Sequence, residues 1–118
     1  MKQINVSEAS NRQLDWLVCR AGGGAKDFRN WLAGYADYNM HHYTTNWSLM
    51  GPIIEREMIQ LSTIYIIGIS NDKWGAFLDD GQDFVQSMLG GPTLLIAAAR
   101  CYVASKLGDE VEVPEELL

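Results

Sequence analysis

The sequence predicts an α+β domain in which a small antiparallel sheet, of about three to five strands, packs against helices. Two observations lead to this class. Short runs rich in β-branched and apolar residues, typical of a strand meander, lie at 58–61, 64–69 and 73–78. The segment TLLIAAARCYVASKL, residues 93–107, is apolar nearly all round, which predicts a buried helix near the C-terminus of the chain.

The N-terminal part predicts one strand and one helix. Ile4 and Val6 alternate within residues 2–6, as in a short strand. Ser7 or Ser10 can cap the following helix, because a serine oxygen accepts from free backbone N–H groups. Leu14, Leu17 and Val18 repeat at helical spacing, and three glycines at 22–24 end that helix near residue 21.

Residues 26–47 are rich in aromatic side chains and allow two interpretations. Phe28, Trp31, Tyr35 and Tyr38 are spaced to share one helix face, which favours a helix covering the core. A mobile aromatic flap over a pocket is the alternative. The adjacent histidines at 41–42 do not predict a metal site, since neighbouring side chains diverge and no third ligand is evident.

The remaining elements are predicted from their boundary residues. Pro52 is expected as the first residue of a short helix reaching Glu57. A polar connection should span 79–91, with one helical turn at 84–89. Thr93 is predicted to cap the long helix, which Gly108 ends, and to be buried with it; the other expected core positions are Leu95, Ile96, Ala99, Tyr102 and Val103. An edge strand is expected at 111–113.

Length and charge narrow the class of protein. The 118 residues predict a single domain, 1–118, with an acidic C-terminal tail at 109–118. That tail carries five of the fifteen carboxylates, and the rest of the chain is nearly neutral. There is no basic stripe for nucleic acid, no apolar run long enough for a membrane, and no visible secretion signal, so a cytoplasmic protein without cofactor is predicted.

Charged residues within apolar runs call for partners. Arg100 interrupts the predicted central helix, where an unpaired charge is costly. Asp15, Glu55 and Glu57 are the candidates for a structural ion pair with it. Alternatively, Arg100 or Arg56 holds an anionic ligand through its forked donors.

The second alternative develops into a binding-site hypothesis. Aromatic faces, an arginine and the first turn of a helix together suit a nucleotide-like ligand. The candidate binding residues are Tyr43, Thr45, Asn46, Trp47, Arg56, Trp74, Thr93 and Arg100. No catalytic motif accompanies them, so the predicted function is binding rather than catalysis. The other hypothesis is a module that contacts another protein through the aromatic segment and the acidic tail. Exposed aromatics also predict a homo-oligomer.

Several stretches resemble one family. They are LDW at 14–16, YTTNW at 43–47, GPIIERE at 51–57 and the C-terminal block from Pro92 to Leu118. In these stretches the chain resembles the NinX-like proteins of tailed phages and prophages. The resemblance implies a phage accessory protein that acts in a bacterial cytoplasm, where a protein partner would be a host or phage protein. It brings no catalytic residues with it.

Overall fold

The computed structural model describes residues 1–24, 27–63, 73–78 and 88–118. In these residues the chain forms four α-helices: α1 (Asn11–Ala21), α2 (Phe28–Tyr35), α3 (Trp47–Glu57) and α4 (Leu94–Leu107). The strands are β1 (Lys2–Asn5), β2 (Gln60–Thr63), β3 (Trp74–Phe77), β4 (Leu89–Gly91) and β5 (Glu110–Val113). Single 3-10 turns lie at Val6–Glu8 and Glu115–Leu117. The predicted α+β class is confirmed.

The strands form two small antiparallel sheets. β1 pairs with β5, so that Lys2 lies opposite Val113 near the two chain ends. The other sheet is an antiparallel meander of order β2-β3-β4, in which β2 and β3 correspond to predicted strands and β4 does not. Its first strand begins later than predicted, at Gln60, because Met58 adopts the left-handed conformation that ends α3. The predicted strand at 64–69 lies outside the described residues.

β4 corrects the interpretation of the connection before α4. Leu89 was expected in a helical turn, but it pairs with Ala76 as part of a strand. The strand lies against α4 very closely, since a Cβ on Gly91 would be 2.7 Å from the backbone nitrogen of Ala97. Glycine therefore permits a contact that a side chain would prevent. The rest of the predicted turn, 84–87, lies outside the described part of the chain.

α4 is the central element of the core. It packs against α1 on one side and against β3 and β4 on another, which explains why apolar residues surround it. The buried residues of α4 are Leu95, Ile96, Ala97, Ala98, Ala99, Cys101, Tyr102 and Val103. Of the expected core positions only Thr93 is exposed, because it caps the helix instead of lying within it.

The first helix follows its sequence signals closely. Ser10 forms a capping box with Gln13, in which each side chain bonds to the other's backbone. Leu14, Leu17 and Val18 are buried, as the periodicity predicts, and so are Asp15 and Trp16. A fully buried aspartate on this helix requires hydrogen-bond partners, and these come from the segment that leads to α3.

α3 begins five residues earlier than predicted. Asn46 caps it with its side chain, so Pro52 lies in the second turn rather than the first. Both Pro52 and Ser48 are exposed. Water can therefore hydrate the Ser48 carbonyl, which has no N–H partner one turn later because proline lacks one.

Residues 109–118 pack against the rest of the protein and do not form a free tail. The predicted strand at 111–113 is confirmed as β5, one residue longer. Val111, Val113 and Leu117 are buried, whereas the acidic side chains that alternate with them are exposed. The carboxylates of 109–118 are thus solvated while their backbone forms part of the fold.

The aromatic segment contains a helix that covers the core, but it is shorter than the aromatic spacing predicts. Asp27 caps α2, and Trp31 is buried with Phe28 and Tyr35 stacked on either side of it. Tyr38 lies beyond the helix and is exposed.

Candidate ligand-binding cleft at the N-termini of α3 and α4

A cavity of about 390 Å³ opens at the surface where α3 and α4 both begin. We call it the tryptophan cleft. It is lined by Thr44, Thr45, Trp47, Trp74, Pro92, Thr93, Leu94 and Leu95. The volume lies within the range of about 300–1,000 Å³ that small-molecule sites occupy.

One wall of the cleft is the segment that enters α3. The Thr44 N–H donates to Asp15 Oδ1 at 2.9 Å, and the Thr45 carbonyl accepts from the Tyr38 hydroxyl at 2.6 Å. Asn46 accepts from the Ser48 N–H and donates to the Tyr38 carbonyl, so its side chain is structural and buried. These bonds determine where the threonines and Trp47 lie.

The opposite wall is built by β3, β4 and the start of α4. Trp74 lies opposite Gly91 in the sheet, and Pro92 and Thr93 lead from that strand into the helix. Thr93 Oγ1 accepts from the Ile96 N–H at 3.2 Å, and its carbonyl accepts from the Ala97 N–H. The N–H groups of Leu94 and Leu95 have no partner within the helix.

Among the described residues that line the cleft, none has a charged side chain. Each helix N-terminus carries about half an elementary positive charge, and two of them meet here. Free N–H groups at a helix start are a common anion site. Trp47 is 52% exposed, an unusual position for so large an apolar ring, and a flat ligand can stack on it.

Asp15 holds one wall of the cleft in place through hydrogen bonds. Its two oxygens accept from the Thr44 N–H and from the Tyr35 hydroxyl, the latter at 2.6 Å. Burial raises the pKa of Asp15, and the hydrogen bonds from Tyr35 and Thr44 partly oppose this. Burial and the Asp15 carboxylate together raise the pKa of Tyr35. The His42 ring stacks on Tyr35, and its Nε2–H donates to the Tyr35 carbonyl at 2.6 Å.

The eight candidate binding residues do not form a single site. Thr45, Trp47, Trp74 and Thr93 converge on the tryptophan cleft, with Asn46 buried directly behind them. Tyr43 and Arg56 line a different cavity at the other end of α3. Arg100 is among the lining residues of neither cavity; it is half-buried, and its guanidinium donates to the carbonyls of Gly90 at 2.8 Å and Ala9 at 3.1 Å.

The carboxylates proposed to pair with Arg100 have other neighbours. Asp15 is engaged by Tyr35 and Thr44, as described above. Glu57 lies 2.7 Å from Lys106 Nζ and 3.7 Å from Arg56 Nε. Glu55 is exposed. Through its two hydrogen bonds to backbone carbonyls, Arg100 joins β4 and the turn before α1 to the central helix.

Sequence reasoning missed Thr44, Pro92, Leu94 and Leu95 as lining residues. The backbone of Leu94 and Leu95 contributes to the site, and a backbone group leaves no residue-type signal. Thr44 could have been included, because it lies between two candidates in YTTNW. Across the described ranges no three His, Cys, Asp or Glu side chains come close enough together for a metal ion. None of the described helices has the length and apolar character of a bilayer span.

Comparison with known proteins places the chain in a family. The family model described as Bacteriophage P22, NinX matches residues 5–106. The chain belongs to this NinX family. The match includes all four helices apart from the last residue of α4, and therefore every lining residue of the tryptophan cleft, whereas β5 lies outside it. No curated protein matches this NinX chain.

Proposed function

We propose that this NinX protein is a phage accessory protein of the bacterial cytoplasm that binds a small, flat, anionic ligand in the tryptophan cleft. A nucleotide-like host metabolite or signal has this chemistry, and its sequestration would keep a host process from using it. One observation carries the proposal: the N-termini of α3 and α4 meet in a cavity walled by Trp47 and Trp74.

The cleft favours a ligand of low charge. Two helix N-termini favour negative charge there, and no lysine or arginine is among the lining residues that the structure describes. Such a site can stabilise one phosphate group or phosphodiester, whereas the additional charges of a triphosphate would meet no cation. Thr45 and Thr93 supply hydroxyls for a sugar or a phosphate oxygen.

Binding without catalysis agrees with the chemistry of the lining. In the part of the cleft lining that the structure describes, the polar side chains are threonine hydroxyls and indole N–H groups, with no acid, base or thiol. Catalytic turnover of a phosphate ester calls for such a group or for a metal.

Tryptophan fluorescence tests the proposal directly. Adenosine 5′-monophosphate, adenosine and inorganic phosphate are titrated separately into the full chain, and cyclic dinucleotides are added as a further arm. We expect quenching with a nucleotide that has both ring and phosphate, and weaker quenching with either part alone. Trp47→Leu should remove most of the signal change and weaken binding by about tenfold, since base stacking contributes roughly 1–3 kcal/mol.

Trp31→Phe is the matched control, because Trp31 is buried and lies outside the cleft. It should leave the titration unchanged. If no member of the panel quenches the parent, or if Trp31→Phe and Trp47→Leu weaken binding equally, the tryptophan cleft is not the binding site.

A second candidate function is a contact with a host or phage protein. Leu32, Tyr38 and Met40 are large apolar side chains left exposed on α2 and the turn after it. The other aromatics of that segment are stacked on one another, so the contact would involve fewer rings than the sequence suggests. Native mass spectrometry of protein from lysate separates the two functions: a retained small mass supports the cleft, and a retained polypeptide supports the exposed patch.

The same patch can join copies of this chain into a homo-oligomer. Size-exclusion chromatography with light scattering gives the mass in solution. Tyr38→Ser with Met40→Ser should shift an oligomer to the monomer, and an unchanged mass would place the interface elsewhere.

A further inference from the structure

A second cavity, of about 600 Å³, lies at the opposite ends of the same helices. We call it the basic cavity. The C-terminal turns of α1, α3 and α4 surround it, and its lining residues include Val18, Tyr43, Ile53, Arg56, Tyr102 and Lys106. The cavity lies at the C-terminal ends of α3 and α4, whereas the tryptophan cleft lies at their N-terminal ends, and the neighbouring residues Tyr43 and Thr44 line one cavity each.

Two cations share one carboxylate at this cavity. Lys106 Nζ lies 2.7 Å from Glu57 Oε1, which is a good ion pair. Arg56 is less well satisfied, because its Nε is 3.7 Å from Glu57 and its Nη2 is 3.5 Å from the Tyr102 hydroxyl. Both distances are at or beyond the limit of a hydrogen bond, although a guanidinium has five donors to place.

Helix polarity explains part of this arrangement. Arg56 and Lys106 lie in the last turns of α3 and α4, where a cation is favoured by the negative end of the helix dipole. Backbone N–H groups already bond some of the last carbonyls, since Met58 and Ile59 donate to those of Glu55 and Ile54, and Gly108 donates to that of Ala104. Helix polarity thus accounts for the presence of the two cations, and the long contacts of Arg56 leave donors for a ligand.

The remaining lining is suited to an apolar or aromatic group. Tyr43 and Ile53 are half-buried and contribute a phenol ring and an aliphatic group, whereas Tyr102 and Val18 are buried and the Tyr102 hydroxyl lies near Arg56. Burial raises the pKa of Tyr43, so its hydroxyl stays a neutral donor at physiological pH.

We propose that the basic cavity is a second binding site, for a small organic anion that joins a carboxylate or phosphate to an aromatic or aliphatic body. The anionic group takes the donors of Arg56 and competes with Glu57 for Lys106, while the body lies on Tyr43 and Ile53. This site is independent of the tryptophan cleft, because it uses side-chain cations where the cleft uses backbone groups.

NMR titration of the ¹⁵N-labelled full chain tests this site. Benzoate and phenyl phosphate are the two probes, and phenol is the neutral control. We expect saturable shifts at the amides of Gly22, Gly24 and Tyr102 with one or both anions, and none with phenol. The amides of Leu94 and Leu95 report the tryptophan cleft in the same spectra, so the two sites succeed or fail separately.

Three variants sharpen the test. Arg56→Gln should weaken binding by about tenfold or more, since it removes a charged hydrogen-bond donor from an exposed side chain. Arg29→Gln, an exposed arginine on α2, is the matched control and should change nothing. Glu57→Gln should tighten binding, because the competing carboxylate is gone.

The proposal is overturned if neither anion shifts the amides of the basic cavity, or if Arg56→Gln binds as well as Arg29→Gln. Unchanged or weaker binding by Glu57→Gln would likewise contradict it. The preference between benzoate and phenyl phosphate decides whether the anionic group is a carboxylate or a phosphate.

Discussion

The tryptophan cleft and the basic cavity lie at opposite ends of the same two helices, yet they offer a ligand opposite kinds of chemistry. At the cleft, α3 and α4 begin, and the donors are backbone N–H groups beside the rings of Trp47 and Trp74. At the basic cavity the helices end, and the donors are Arg56 and Lys106 beside two tyrosines. Helix direction explains the difference, because the dipole favours negative charge at the start of a helix and positive side chains at its end.

The interactions that position the residues of the two sites differ as well. The cleft depends on buried hydrogen bonds that run from Asp15 through the segment before α3. At the basic cavity, the cationic side chains of Arg56 and Lys106 are largely open to solvent. Substitutions of the residues that support the cleft should therefore lower the free energy of unfolding. Substitutions of the charged side chains at the basic cavity should leave the protein folded.

The largest effect is expected for Asp15→Ala. It leaves the Thr44 N–H and the Tyr35 hydroxyl without their acceptor in a buried environment, which costs about 2–5 kcal/mol of unfolding free energy. Urea unfolding measures this loss. Asp15→Asn keeps one acceptor and should lose less. Equal stability of Asp15→Ala and the parent would show that the cleft wall does not depend on this carboxylate.

Arg100→Met should come next. Methionine keeps the apolar volume of the stem, but the carbonyls of Gly90 and Ala9 lose the donors that reach them, at a cost of about 2–4 kcal/mol. Arg100→Ala should lose more, because it also removes packing. Thermal melts rank the three proteins. Ligand-dependent stabilisation at either cavity should persist in Arg100→Met, and its loss would assign Arg100 to a site.

The pH dependence of stability should separate Asp15 from the exposed carboxylates. Because burial raises its folded pKa above the ordinary value of 3.8, the folded state holds the proton more tightly, and stability falls as pH rises through the folded pKa. Glu57 should show the opposite pH dependence, because its hydrogen bond with Lys106 lowers its pKa. Its contribution to stability is therefore present above the ordinary pKa of 4.5 and is lost as pH falls.

The measurement is the difference in unfolding free energy between the parent and Asp15→Asn over a pH series. The unfolding free energy of the parent should exceed that of Asp15→Asn by the largest amount below pH 3.8, and this excess should decline as pH rises. A difference that grows with pH would mean that the ionised carboxylate is the stabilising form.

The smallest effect is expected for Lys106→Gln. Its ammonium and the Glu57 carboxylate are close, but they are open to water, which screens the pair and makes its contribution to stability minor. Melts at low and at high salt should show almost the same transition for the parent and the variant. A marked loss would show that the basic cavity supports the fold as strongly as the cleft does.

Local signals in the sequence account for much of the fold. The capping serine and apolar spacing of α1, the apolar run of α4 with Thr93 and Gly108 at its ends, and the alternation in β5 each depend on neighbouring residues along the chain. These elements lie where they were predicted, because capping, periodicity and alternation are local physical effects.

The errors arose where a local signal had a competitor. Pro52 is a good helix start, but the Asn46 cap begins α3 one and a half turns earlier, and the exposed position of Pro52 makes its missing N–H tolerable. Leu89 carries no strong strand signal, and it becomes a strand only because β3 is beside it.

The grouping of the binding residues was decided by the tertiary structure alone. The sequence by itself determined which residue types were present: tryptophans, threonines at a helix start, and arginines in apolar runs. It could not divide them between two ends of a helix pair, because that depends on α3 and α4 running in the same direction. Nor could it provide Arg100 with carbonyl partners from Gly90 and Ala9, which the fold brings to the central helix from distant parts of the chain.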